Sequence, residues 1–194
     1  MPMRPDTHRP YPAPPGTRRL FSGLLLLLCW LASSAGVSAA PPDEFQVKAA
    51  MVYNMAKFVD WPAESFPATG APLTICVLGK GPLAAALRSL QGKTVRGRTL
   101  MVRPVSRVGE TGTCQILVVT ASERHQLPPL SPHGPGGLLT ISDLDGFAHT
   151  GGVVGFVTEN GKIRFEVNLD AAHRCRVRIS SQLLKLARIV GRDE

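Results

Sequence analysis

Gly79-Lys80-Gly81-Pro82-Leu83-Ala84 fits the G-x-G-x-x-G/A pattern, in which glycines let backbone amides approach a pyrophosphate at a helix N-terminus. The surroundings argue for a plainer use. Pro82 removes an amide donor, and no acidic residue ends a following strand about 20 residues on, where a ribose would be held. A β-α turn that takes glycine for its geometry accounts for the same residues. Asp143-Leu144-Asp145-Gly146 opens like a calcium loop, but the later ligands and closing glutamate are missing, which leaves an Asx- and Gly-rich turn. His125, His133, His149 and His173 show neither i,i+4 spacing nor the carboxylates of a metal triad, so each reads as a surface or loop histidine. With no G-x-S-x-G elbow and no Cys-x-x-Cys, nucleophilic and redox catalysis lack their parts. Gly151-Gly152 leads into a strand rather than a helix, which fits close packing or a bulge better than an anion nest. No cofactor and no metal is expected.

Cysteine carries more information, and its reading depends on compartment. Arg4, Arg9, Arg18 and Arg19 precede an apolar run, Leu20 to Ala32, which is followed by small residues up to Ala40. That order of charge, apolar stretch and small residues is a secretory signal, with cleavage expected between Ala39 and Ala40. Residues 1–39 are thus expected to be a signal peptide and 40–194 the exported domain. Cys76, Cys114 and Cys175 remain, an odd number in an oxidising compartment. Cys76 falls in one apolar strand and Cys114 immediately before another. If those strands are neighbours the two sulfurs meet; otherwise they are two buried thiols. Cys175 is left over, either a free, partly covered thiol or an intermolecular partner.

Behind these residues stands an alternation of helices and strands. Pro41-Pro42 followed by Asp43-Glu44-Phe45-Gln46 reads as a capping box. Phe45, Ala49, Val52, Ala56 and Val59 then recur at helical spacing, with Lys48 off the stripe, until Asp60-Trp61-Pro62 stops the helix. Leu73–Leu78 is a strand, and Pro82 opens a helix ending near Leu90. Val95 and Thr99–Val105 form a strand pair or one broken strand, Ile116–Thr120 a buried strand, Ser122 opens a short helix stopped by Pro128-Pro129, and Leu138–Ser142 is a strand. Val153–Thr158 and Lys162–Asn168 flank Glu159-Asn160-Gly161, a hairpin signal. Arg164, Glu166, Asn168 and Asp170 alternate with Ile163, Phe165, Val167 and Leu169, which predicts one polar and one core face. Ser180 or Ser181 caps a last helix through Val190. The class is α/β: a single domain with a mixed sheet flanked by helices, a C-terminal hairpin and a terminal helix.

Removing the leader takes four of 22 basic and one of 14 acidic residues, so the net charge falls from +8 to +5. That excess is scattered, and with only two tyrosines there is no stacking set for nucleic acid. A solvated face or an acidic protein surface is the better use of it.

Many short blocks follow in order: Lys48-Ala49-Ala50, Tyr53-Asn54, Lys57-Phe58-Val59, Trp61-Pro62, Ile75-Cys76-Val77-Leu78-Gly79, Cys114, Leu139-Thr140-Ile141-Ser142, Gly146-Phe147, Gly151-Gly152, Arg164-Phe165-Glu166-Val167-Asn168-Leu169 and Leu184-Lys185-Leu186-Ala187. Together they resemble the YfiR family of periplasmic proteins, also called HmsC-like. The resemblance spans about residues 44 to 190. It implies a regulator that binds the periplasmic part of an inner-membrane diguanylate cyclase and represses it, lowering cyclic di-GMP and restraining biofilm and exopolysaccharide. It also implies a Cys76–Cys114 disulfide and an outer-membrane lipoprotein that tunes repression. The family's second disulfide, near Gly146 to Val157, has no cysteines here.

The leading expectation is a non-enzymatic binding protein, with Arg164, Glu166 and Asn168 as candidate partner contacts and a homodimer as a further partner state. The competing one is a periplasmic small-molecule binder or exported enzyme, using the space beyond Gly79 or the Asp143 loop.

Overall fold

The computed structural model describes residues 43–125 and 137–191; the segment expected to be a signal peptide, the Pro128-Pro129 stop and His133 lie outside them. All described residues belong to one compact unit, Pro42–Glu194. Helices α1 (Glu44–Met55), α2 (Pro82–Leu87), α3 (Leu169–Arg174) and α4 (Ser181–Leu184) accompany ten strands. These are β1 (Val59–Asp60), β2 (Leu73–Leu78), β3 (Thr94–Val95), β4 (Arg98–Val105), β5 (Ile116–Val119), β6 (Leu139–Ser142), β7 (Val154–Glu159), β8 (Lys162–Asn168), β9 (Arg178–Ile179) and β10 (Arg188–Val190).

Eight strands form one mixed sheet in the order β10-β8-β7-β6-β5-β2-β4-β3, and β1 and β9 pair antiparallel beside it. The centre, β4-β2-β5-β6, is parallel. β2, β5 and β6 are covered on both faces, and all four residues of β5 are fully buried, whereas β4 exposes Thr99, Met101, Arg103 and Pro104. Ile75, Val77, Ile116, Val118, Leu139 and Ile141 face the main core with α1 and α2. Cys76, Leu78, Leu117 and Val119 face a smaller one closed by Val108, Leu144 and Phe147. Asn160 and Gly161, both at positive φ, make the two-residue turn of the β7-β8 hairpin, as the Asn-Gly signal predicts.

Five local expectations are corrected. Asp43 sits at the N-cap of α1 but its side chain caps nothing, and Lys48, expected off the apolar stripe, is buried. The first helix stops at Met55 rather than near Asp60, because Val59–Asp60 is drawn out to pair with Arg178–Ile179. The alternation along β8 breaks at Leu169, since the Asn168 carboxamide accepts a hydrogen bond from Ala171 N at 2.8 Å and starts α3. The last helix, capped by Ser180 (Leu183 N to Oγ, 3.4 Å), is only α4, and Arg188–Val190 instead forms a parallel edge strand on β8.

Candidate functional site

Cross-strand register settles which predicted residues share a face, because Cα partners point the same way. One row runs Val105, Leu78, Val119, Ser142, Gly155, Glu166, Arg188, across seven strands. Cys76, two residues before Leu78, and Arg164 and Asn168, two either side of Glu166, belong to the same face. The helices α1 and α2 cover the other. The disulfide and the three polar residues singled out on β8 are thus at two ends of one surface, with the Leu144–Phe147 turn packed between them.

At the first end Cys76 and Cys114 are joined in a disulfide, Cα to Cα 5.9 Å, closing a separation of 38 residues. β2 and β5 are neighbours, which is the condition the pairing required. Arg103, the register partner of Cys76 on β4, lies over the bridge with Nη2 at 3.5 and 3.4 Å from the two sulfurs. Its guanidinium is fixed by Glu110 O at 2.9 Å and Thr113 Oγ1 at 3.3 Å. Cys175 is free and half-buried at the end of α3; burial pushes its thiol above the usual range, and Arg174 pulls the other way.

At the second end the polar residues divide. Arg164 is exposed, whereas Glu166 is only 2% and Asn168 8% exposed. Glu166 Oε1 accepts from Arg188 Nε at 2.9 Å and also from Nη2, and Oε2 faces His149 Nε2 at 3.3 Å. Asn168 donates to Ala148 O at 2.7 Å while capping α3. The face is polar, as the alternation predicts, but below Arg164 its polarity is consumed inside the fold. Arg188, which locks Glu166, falls within the helix that the sequence pattern predicts, and the register of β10 reveals its role.

Two other constellations lie at the C-terminal ends of the parallel strands. Lys48 Nζ is 2.6 Å from Glu44 Oε1 and 3.9 Å from Asp143 Oδ2. Asp143 is almost fully enclosed and its Oδ1 accepts no hydrogen bond, so burial raises its carboxyl above the ordinary value while Lys48 lowers it. The Gly79 turn is filled by side chains. Ser122 Oγ accepts from Lys80 N at 2.9 Å, Thr120 Oγ1 donates to Lys80 O at 2.9 Å, and a Cβ on Gly79 (φ +95) would collide with both hydroxyls. The Lys80 amide, one of those a pyrophosphate would use, is therefore already satisfied. Beside this turn an open cleft of ≈ 1070 Å³ runs between α2 and β4, past Lys80, Arg88, Gln91 and Pro104. A second groove of ≈ 600 Å³ lies between Trp61, Glu64, His173 and Arg176 near β9.

Among the described residues no helix is long and apolar enough to cross a membrane. A family model described as YfiR/HmsC-like matches residues 45–188, from the first turn of α1 to the arginine that closes on Glu166.

Proposed function

The chain belongs to the YfiR/HmsC-like family, and from that membership we propose that it is a periplasmic regulatory protein that binds the periplasmic part of a membrane diguanylate cyclase and represses it. Lower cyclic di-GMP, and with it restrained biofilm and exopolysaccharide production, is the consequence. The observation that carries the reading is the extent of the match, which takes in both helices on the main core, the disulfide and the β8-β10 edge.

The geometry supports binding over chemistry. The buried Glu166 and Thr120 are tied up within the fold, Glu166 by Arg188 and His149 and Thr120, with the exposed Ser122, by the Gly79 turn. We assign Arg164 a contact role, as an exposed cation on the disulfide-bearing face. Glu166 and Asn168 are assigned a positioning role, holding β10 and α3 beside it.

The test is affinity capture of the tagged protein from detergent-solubilised membranes, with the bound proteins identified. A GGDEF-bearing membrane protein enriched by the wild type, and weakened several-fold by R164E at unchanged thermal stability, is the expected result. Capture that enriches no such protein would overturn the reading.

A further inference from the structure

Tyr53, near the end of α1, is held in place by its hydroxyl, which donates to Thr94 O at 3.0 Å. That contact brings α1 against the turn before β3, whose backbone is fixed by Lys93 N to Leu90 O at 3.1 Å and Leu100 N to Lys93 O at 2.7 Å. Two ammonium groups consequently bracket one ring: Lys57 Nζ lies 4.2 Å and Lys93 Nζ 5.6 Å from the Tyr53 centroid. Lys57 is steadied by Asn54 Oδ1 at 3.0 Å. Both lysines are exposed, and among the described residues neither has a carboxylate within ion-pair reach; Asp60, close by in sequence, is taken by Arg96. Phe58, 36% exposed, follows directly on Lys57.

The ring's negative faces draw in both cations, and two like charges are thereby gathered at one ring with no carboxylate among the described residues to compensate them. Such an arrangement is relieved by an anion with more than one negative group. An aromatic platform and an exposed phenylalanine beside the charges favour a peptide, which has apolar side chains to lay on them, over a bare inorganic ion.

We infer that Tyr53, Lys57 and Lys93 form a docking surface for an acidic segment of a protein partner. This rests on the regulatory reading above and adds to it the chemistry of the partner's contact strip. It lies on α1 and the β3 turn, apart from the disulfide-bearing face.

The probe is a synthetic hexaglutamate peptide titrated into isotope-labelled protein, followed by amide and lysine side-chain resonances at low and moderate salt. Shifts centred on Tyr53, Lys57, Lys93 and Thr94, at least tenfold weaker binding to K57Q/K93Q, and loss of binding with salt are expected. Shifts centred elsewhere, an unchanged affinity for K57Q/K93Q, or capture by phosphatidylglycerol vesicles in place of the peptide would overturn the proposal. A parallel capture from membranes separates the two claims. A cyclase retained by wild type and lost by K57E/K93E supports both, whereas no cyclase with either protein removes the regulatory reading and leaves the peptide titration to decide the surface.

Discussion

Arg188 on the last strand closes on Glu166 of its neighbour, Nε to Oε1 at 2.9 Å, while its Nη1 reaches Glu159 at 2.8 Å. A three-residue edge strand is thereby fastened to a carboxylate that water does not reach. Removing Arg188 leaves that carboxylate buried with only His149 beside it, and uncompensated buried charge is strongly unfavourable. R188A should lower Tm, and adding E166Q should recover a large part of the loss, because the amide carries no charge to leave unpaired. A double-mutant cycle by thermal unfolding reads this directly; strictly additive effects would contradict it.

The Cys76–Cys114 bridge closes a long loop between β2 and β5. Loop-closure entropy assigns such a bridge roughly 3 to 4 kcal/mol. In a domain of this size that is a Tm change on the order of 10 °C. Calorimetry with and without a phosphine reductant should show the drop, and C76A/C114A should be insensitive to the reductant. A reduced protein as stable as the oxidised one would contradict the account.

Asp143 gives a pH dependence whose sign is fixed. Its folded carboxyl titrates above the ordinary value because burial disfavours the charge. Between the two values the folded state holds more protons than the unfolded, so this group contributes stability that is lost as pH rises through the raised value. In D143N that dependence disappears. Tm of wild type minus that of D143N should therefore grow as pH falls from about 7 to about 4, across the carboxylate range; a difference independent of pH would refute it.

Cys175 should be a slow thiol. Burial lifts it out of the range where a thiolate is plentiful near neutrality. Native alkylation with iodoacetamide should run more than tenfold slower than with free cysteine and accelerate with pH. Of the three cysteines beyond residue 40, the other two should react only after reduction. Labelling of Cys175 as fast as free cysteine would contradict this.

Much of the fold was legible because its signals are local. Leu73–Leu78 followed by Gly79 and Pro82 marks a strand, turn and helix start. Asn160-Gly161 specifies its own hairpin, and the continuous apolar run of β5 announces a strand buried on both faces. Two of the errors share one cause, which is pairing between residues far apart in sequence. Val59–Asp60 becomes a strand only because Arg178–Ile179 is there, and Arg188–Val190 leaves helical spacing for the free edge of β8. Asn168 carried a usable signal, a capping residue ahead of a short alanine-containing segment, which the apparent alternation overrode.

The candidate site was read in part for the same reason. Alternation put Arg164, Glu166 and Asn168 on one face correctly. Which of them meets solvent depended on Arg188, His149 and Ala148, contributed by other segments. The pair Lys57 and Lys93 was invisible as a pair, since only the Tyr53–Thr94 hydrogen bond brings them to one ring.

The most direct test of repression is the cellular level of cyclic di-GMP, measured by mass spectrometry in the parent strain, in a strain lacking this gene, and in that strain complemented. The account predicts a several-fold rise on deletion that the wild-type gene reverses. Equal nucleotide levels in all three strains, under conditions where the protein is produced, would contradict it.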